Sequence, residues 1–333
     1  MFSALKEQFP GVEVDVLVFA ETAPMIKAHP DLSHIWHLPR SKEAGRGLAR
    51  LMANLKLLKR IYQRRYDWVL HLNERWPGAW AALASRAPVR VSYSYPKRDN
   101  PVWRLAFPIR LPIPDKGHRI MQNLSQLEAL GVRVLPAAVR CQMAFTQADQ
   151  VLAMRKLQDA EVGDDYILVH PGSRWFYKCW EDERFAEVVA HLANQGHKIV
   201  LTAAPDEREL AMVKNIMQLA NHTNITSLAG QLTLPALAAA IAKAKLFIGV
   251  DSVPMHMAAA LQTPTVALFG PTIIETWRPW SDKAIIVSAA DYGSLIAPWE
   301  VDATTDERYL KNISIQSVLA NTRKILADTH GTN

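Results

Sequence analysis

The chain has 333 residues, of which 49% are hydrophobic and 21% charged, and it carries a formal net charge of +6. This length suits two domains, and this composition is typical of a globular protein. No stretch approaches the roughly 18 uninterrupted apolar residues of a membrane-spanning helix, and no signal peptide pattern is present. Cys141 and Cys179 are too few for a disulfide framework or a zinc cluster, so we expect a cytoplasmic protein.

The positive charge is concentrated in the first half of the chain. Between residues 40 and 65 the only acid is Glu43, and the bases are Arg40, Lys42, Arg46, Arg50, Lys56, Lys59, Arg60, Arg64 and Arg65. Such a surface favours nucleic acid, an anionic membrane or a phosphorylated glycolipid, although ordinary solubility charge is the alternative. No helix-turn-helix, zinc-finger or aromatic RNA-binding pattern accompanies it, so no nucleic-acid partner is expected.

In chain order, the first half alternates short strands with helices. The residues rich in Pro, Arg and aromatic types between 95 and 116 read as a loop. The helix over 47–64 has apolar residues at helical spacing and a basic outer face. The predicted strands are 12–19, 67–72 and 89–94, and the predicted helices are 47–64, 79–85 and 118–130.

The second half repeats this alternation more strictly. Its predicted strands are 166–170, 198–202, 225–228, 246–250 and 265–269, and its predicted helices are 150–160, 183–195, 207–220, 234–244, 255–261 and 313–326. Continuous apolar strands alternating with helices predict a parallel, doubly wound sheet. Because the pattern restarts near residue 150, we expect two Rossmann-like α/β domains, 1–150 and 151–333, facing each other across a cleft.

Ligands of parallel α/β sheets bind where strands end and helices begin, and one such junction follows the strand over 166–170. Gly172 allows the backbone to approach a ligand closely, and the Ser173 hydroxyl and amide can bind phosphate oxygens. Lys178 can reach a pyrophosphate as a point charge. The alternative is a plain strand-to-loop connection with a glycine turn.

Two further junctions carry polar residues. After the strand over 246–250, Asp251 or Ser252 can cap the next helix, but capping does not explain His256 in its first turn. Helix N-terminal amides would favour an anionic group there, whereas a lone histidine is more often structural. After the strand over 198–202, a carboxylate among residues 205–209 can accept hydrogen bonds from ribose hydroxyls, although acids also complement the helix dipole.

Three stretches around these junctions carry a resemblance to a known family. They are LVHPGSRWFYKCW, LTAAPDERE and IGVDSVPMHMAAALQTPTVALFGPTIIETWRPW. They resemble the ADP-heptose:lipopolysaccharide heptosyltransferases, glycosyltransferase family 9, whose fold is GT-B. The segments EVDVLVFAETAPMI, YDWVLHLNERW, YPKRDN and HRIMQNLSQLEALGV resemble the heptosyltransferase III branch, which adds a side-branch heptose to the inner core.

The resemblance implies an inverting transferase that uses ADP-heptose, acts on the lipopolysaccharide core, and needs neither a cofactor nor a metal. The donor-binding residues that it implies are Gly172, Ser173 and Lys178 for pyrophosphate and sugar, Glu207 or Glu209 for ribose, Leu232 for adenine, and Asp251, Ser252, Val253 and His256 for phosphate and heptose. Lys97 and Arg98 are expected to bind acceptor. The family usually has glycine at Val253, and valine does not adopt positive φ cheaply, which leaves the loop geometry open there.

Family members begin with a strand and a Gly-Asp loop whose Asp is thought to be the general base. MFSALKEQFPG resembles the middle of the first helix, so the first domain is expected to lack that strand and base. No catalytic residue is therefore assigned within the chain, and Asp251 and His256 are expected to support catalysis. The alternatives are a sugar-nucleotide epimerase of the same fold and a catalytically silent nucleotide-sugar binding protein. We expect a monomer associated peripherally with the inner membrane through its basic surface.

Overall fold

The computed structural model describes residues 1–38, 48–135 and 139–330, and it divides into two compact units, Met1–Val139 and Arg140–Asn333. Arg40, Lys42 and Arg46 of the basic stretch lie outside the described residues. No helix in the described part of the chain is both long and apolar enough to cross a membrane.

The described residues of the first unit form five α-helices and five strands, which pair in parallel. The helices are α1 (Phe2–Gln8), α2 (Leu48–Arg64), α3 (Trp76–Ser85), α4 (Pro101–Ala106) and α5 (Arg119–Glu128). The strands are β1 (Asp15–Phe19), β2 (His34–Leu38), β3 (Trp68–His71), β4 (Val89–Tyr93) and β5 (Ile109–Leu111). They form two separate sheets, β1–β2 and β3–β4–β5. Within the described residues, β1 pairs with β2 alone, and β3 pairs with β4 alone.

The predicted loop over 95–116 is wrong, because it contains α4 and β5. The Asn100 side chain caps α4 by accepting a hydrogen bond from the backbone N–H of Trp103 at 3.0 Å, and Pro101 occupies the first helical turn, where a missing N–H costs nothing. Trp103 and Phe107 are completely buried. A helix of six residues is too short to show helical periodicity in the sequence. Trp103 and Phe107 are therefore predicted to lie in a loop, although they pack in the core.

Helix α2 differs in part from the predicted amphipathic helix with a basic outer face, because most of its apolar residues are not buried. Ile61 is the residue of this helix that is buried, whereas Leu48, Leu51 and Leu55 are 73%, 53% and 50% exposed. Helical spacing identifies an apolar stripe, but it does not say whether another element covers that stripe.

The second unit is a six-stranded parallel sheet with helices on both faces. Its strands are β6 (Tyr166–His170), β7 (Lys198–Leu201), β8 (Ile225–Ser227), β9 (Leu246–Val250), β10 (Thr265–Phe269) and β11 (Ala284–Ser288), in the order β11-β10-β9-β6-β7-β8. Its helices are α6 (Gln147–Asp159), α7 (Asp182–Asn194), α8 (Glu207–Ala220), α9 (Leu234–Lys243), α10 (Val253–Ala260), α11 (Ile274–Trp277) and α12 (Ile315–His330). Every residue of β6, β9 and β10 is buried, which explains their uninterrupted apolar sequences.

Helix α6 belongs to the second unit. It begins after Thr146, whose hydroxyl accepts from the backbone N–H of Asp149 in a reciprocal capping box. The helix packs against α9, so its contacts tie it to the second sheet. For this reason the division between the units falls at Val139, before α6, rather than near residue 150.

Candidate functional site

The polar residues singled out in the second half lie after four strands that are neighbours in the sheet. Strands β9, β6, β7 and β8 are parallel and adjacent, so the loops that follow them leave the same edge. These loops carry the predicted residues of the site: Gly172, Ser173 and Lys178 after β6, Glu207 and Glu209 after β7, Leu232 after β8, and Asp251, Ser252, Val253 and His256 after β9.

The centre of this edge is a buried ion pair between Lys178 and Asp251. The Lys178 Nζ donates to Asp251 Oδ2 at 2.6 Å, and the two side chains are only 10% and 5% exposed. The same ammonium lies 4.9 Å from the centre of the Trp175 ring, a cation–π distance. An ion pair this buried holds both charged groups in one position, so the loop after β6 is tied to the end of β9.

Helix α10 begins directly beside this pair. Its first residues place His256 Nε2 3.9 Å from Asp251 Oδ1, and the His256 ring lies 6.5 Å from that of Trp277. Ser252 is the N-cap residue, yet its Oγ makes no capping bond and is buried without a hydrogen-bond partner in the described part of the chain. Val253 is the first helical residue, so valine needs no positive φ there and the glycine of the family is not required.

Gly172 leaves room for a buried side chain behind this loop, and its predicted role in the approach to a ligand stays a prediction. A Cβ built on this residue would lie 2.6 Å from Glu209 Oε2, so the absence of a side chain lets Glu209 pack against the loop after β6. Glu209 is buried, and its Oε2 accepts the backbone N–H of Ala204 at 3.1 Å. Burial raises the pKa of this carboxyl group. Glu209 therefore supports two loops from within the protein.

His170 at the end of β6 is a structural histidine. Its Nδ1 lies 3.0 Å from the Thr202 hydroxyl, and its Nε2 lies 3.8 Å from Glu209 Oε2. Complete burial lowers the pKa of His170 to about 4, so the ring is neutral near neutral pH. It joins the ends of β6 and β7 by hydrogen bonding rather than by charge.

Glu207 and Leu232 are the more accessible residues of the same edge. Glu207 is exposed at the start of α8, where Asp206 is the capping residue and accepts from the backbone N–H groups of Arg208 and Glu209. Leu232 is half-buried in the turn after β8. Of the two glutamates named for ribose, the structure leaves Glu207 at the surface and buries Glu209.

The sequence did not single out the cationic and aromatic residues that brace the loop after β6. The guanidinium of Arg208 lies 3.9 Å from the Phe176 ring centre, and that of Arg308 lies 5.5 Å from the same ring. Arg308 also donates to Asp182 and to the carbonyl of Trp180. Nothing in local spacing indicates these contacts, because Arg308 is more than a hundred residues away in the chain.

The predicted acceptor residues Lys97 and Arg98 lie in a helical turn after β4 in the first unit. Arg98 Nε donates to the carbonyl of Glu74 at 2.8 Å, and its guanidinium lies 5.9 Å from the Trp76 ring centre. Lys97 is exposed. Arg98 is thus held in place by the loop after β3, whereas Lys97 projects from the surface.

Comparison with known proteins identifies the family. Residues 54–297 match the family model of glycosyltransferase family 9 (heptosyltransferase). The whole chain is 34% identical to a lipopolysaccharide heptosyltransferase 3 of Escherichia coli, of which it covers 96%. Two solved structures share the fold, each at 20% identity. A family 9 glycosyl transferase from Veillonella parvula has a TM-score of 0.81 and is covered over 92% of its length by 98% of this chain. For E. coli ADP-heptose lipopolysaccharide heptosyltransferase II the TM-score is 0.77, and 99% of this chain covers 94% of it.

These findings confirm the predicted GT-B fold and the predicted class of enzyme, a glycosyltransferase. Residues 54–297 span most of the chain and contain every predicted donor-binding residue. The chain belongs to glycosyltransferase family 9, the heptosyltransferases.

Proposed function

We propose that this enzyme transfers heptose from ADP-heptose to the inner core of lipopolysaccharide, with inversion, as in the heptosyltransferase III branch. The chain-long similarity to E. coli heptosyltransferase 3 supports this acceptor class. The observation that carries the donor assignment is the buried Lys178–Asp251 pair, which holds an ammonium group at the sheet edge beside the start of α10.

The pair suits the chemistry of a sugar nucleotide. An ammonium group has three N–H donors, and Asp251 takes one of them, so the others are available to the donor pyrophosphate. The Ser252 hydroxyl and the first amides of α10 add further donors for a phosphate. As the bond between the sugar and ADP breaks, negative charge grows on the leaving phosphate, and these fixed donors stabilise it.

The remaining residues receive complementary roles. Asp251 directs one oxygen at Lys178 and the other toward His256, so it positions a cation for pyrophosphate and an imidazole for the heptose hydroxyls. Gly172 and Ser173 form the loop that binds the donor pyrophosphate. Glu207 binds the ribose, and the backbone of Leu232 covers the adenine. Glu209, which was a candidate for ribose, instead acts as a positioning residue behind Gly172.

The acceptor side of the proposal is placed on the first unit. Lys97 would bind acceptor phosphate or sugar directly, and Arg98 would do so from a position fixed by Glu74. We propose a monomer at the cytoplasmic face of the inner membrane, held peripherally by its basic surface, and working without a metal or other cofactor.

Measuring ADP binding and ADP release separately tests this function. Calorimetry should detect ADP binding, and a coupled assay should detect ADP release from ADP-heptose only when a core acceptor is present. ADP release that needs no acceptor would favour a hydrolase. Binding without any ADP release would favour a silent binding protein or the epimerase, whose product keeps the sugar attached to ADP.

Ser252→Ala gives a sharper test of the pocket itself. Removing a buried hydroxyl that lacks a partner should leave unfolding stability unchanged or raise it slightly, while ADP affinity should fall about tenfold to hundredfold, the effect of one hydrogen bond to a charged group. The exposed hydroxyl control is Ser294→Ala, on the loop after β11, which should change neither quantity. Unchanged ADP affinity in Ser252→Ala would remove this hydroxyl from the pocket.

A further inference from the structure

Helix α2 presents an exposed apolar stripe that no described element covers. Leu48 is 73% exposed, Leu51 53%, Met52 59% and Leu55 50%. These residues are spaced three, four or seven positions apart, so they lie along one side of the helix. The core contacts of α2 are made by a different side, where Ile61 is buried and Leu57 and Leu58 pack against the same cluster.

The charges around this stripe are all of one sign. The helix contains no acid and five bases. Arg64 is engaged by Asp15 and Glu13, and the guanidinium of Arg60 lies over the Trp36 ring at 5.0 Å. Lys56 and Lys59 are exposed, and together with Met52 and Leu55 they line a shallow depression on the helix surface.

From this combination we infer that α2 docks the enzyme onto an anionic lipid bilayer, with its apolar stripe inserted and its lysines on the headgroups. An interfacial helix of this kind lies in the membrane plane and buries its apolar side at the boundary of headgroups and acyl chains. Lys59, within the stripe, reaches the headgroups by extending its chain past the apolar residues. An anionic bilayer supplies both partners: its acyl chains contact the apolar residues of the stripe, and its headgroup phosphates contact the lysines.

A second copy of this chain fits the same surface less well. In a symmetric dimer the helix would face its own copy, so Lys56 and Lys59 would approach the same lysines of the partner. Like charges placed opposite each other oppose association, and α2 offers no acid to compensate them. The docking inference rests on the proposed function in one respect, since a lipid-linked acceptor gives the enzyme a reason to stay at the membrane.

Sedimentation with vesicles tests the inference directly. The protein should bind vesicles of phosphatidylethanolamine and phosphatidylglycerol, bind vesicles of phosphatidylcholine far more weakly, and lose affinity as salt is raised. In the triple variant Leu51→Gln, Met52→Gln, Leu55→Gln, each change should weaken binding about tenfold. In the double variant Lys56→Gln, Lys59→Gln, each change should weaken binding about fivefold.

Matched controls lie on the second unit. Val151→Gln with Met154→Gln alters two apolar residues of α6 that are 58% and 46% exposed, and Lys214→Gln with Lys243→Gln removes two exposed lysines. Both controls should bind vesicles as the parent chain does. Melting temperatures should be unchanged throughout, because every altered side chain is exposed.

The inference is overturned if the α2 variants bind anionic vesicles as tightly as the parent, or if the parent binds neutral vesicles equally well. It is also overturned if the triple variant converts a dimer to a monomer in gel filtration, which would assign the stripe to a second copy.

Transfer assays distinguish a failure of the docking inference from a failure of the proposed function. The triple variant should act normally on a deacylated acceptor in solution and slowly on an acceptor embedded in vesicles. A parent chain that binds vesicles but transfers to neither acceptor would refute the proposed function and leave the docking surface standing.

Discussion

Replacing Lys178 by methionine should reveal how much of the site depends on one buried ion pair. Lys178→Met keeps the length and volume of the side chain but leaves the Asp251 carboxylate, 5% exposed, without its cation. Removing one partner of a buried pair costs about 3–5 kcal/mol, because the other charge stays desolvated. His256 lies 3.9 Å from the second carboxylate oxygen and can compensate in part, so we expect a loss of about 3 kcal/mol.

For a unit of the size of Arg140–Asn333, that loss corresponds to a melting temperature lower by about 6–12 °C, which scanning calorimetry resolves. The double variant Lys178→Met, Asp251→Asn removes the buried charge, so it should recover most of the stability. Its affinity for ADP should stay low, about tenfold or more below that of the parent, because the lysine that we propose for pyrophosphate binding is absent.

Two results would refute this reasoning. If Lys178→Met melts within about 2 °C of the parent, the carboxylate is not held desolvated by its surroundings and the pair does not organise the loop. If the double variant binds ADP as tightly as the parent, the lysine stabilises the fold but does not contact the donor. An exposed lysine of the same unit, changed by Lys214→Met, is the control and should alter neither quantity.

Three further predictions follow from the geometry. Gly172→Ala should weaken ADP binding and lower stability by about 1–3 kcal/mol, because the new Cβ would overlap Glu209 Oε2; Gly163→Ala, where a Cβ meets nothing within 4 Å, should do neither. Burial lowers the pKa of His71 to about 4, so below pH 6.5 the unfolded chain binds a proton that the folded chain refuses, and stability should fall by about 3 kcal/mol by pH 4. His71→Leu should flatten that decline in urea titrations, whereas Phe107→Leu, which loses the same ring stack at 4.8 Å, should lower stability without changing its pH slope. Transfer measured as ADP release should continue in excess EDTA at about the parent rate, and loss of activity that added Mg²⁺ or Mn²⁺ restores would show that a metal is needed.

The sequence alone predicted most of the architecture of the second unit, although not α11 or β11, and it predicted the sheet edge at which the candidate donor-binding residues lie. Strands 166–170, 246–250 and 265–269 and helix 207–220 have the bounds that their apolar runs and periodicity predict. Buried parallel strands are continuous apolar segments, so their ends are visible in one dimension. Because parallel strands end at a shared edge, the polar residues after β6, β7 and β9 could be placed together without knowing any contact.

Tertiary structure decided which of those residues are exposed at the sheet edge and which are buried behind the loops. Glu207 and Glu209 are two positions apart in one helical turn, yet one is exposed and the other is buried against Gly172. The apolar residues of α2 have the spacing of a core-facing stripe, but the core takes a neighbouring side of the helix and leaves the stripe exposed. Arg308 braces Phe176 from the far end of the chain. Periodicity reports the character of a surface, whereas burial depends on which distant element packs against it, and only the folded chain determines that.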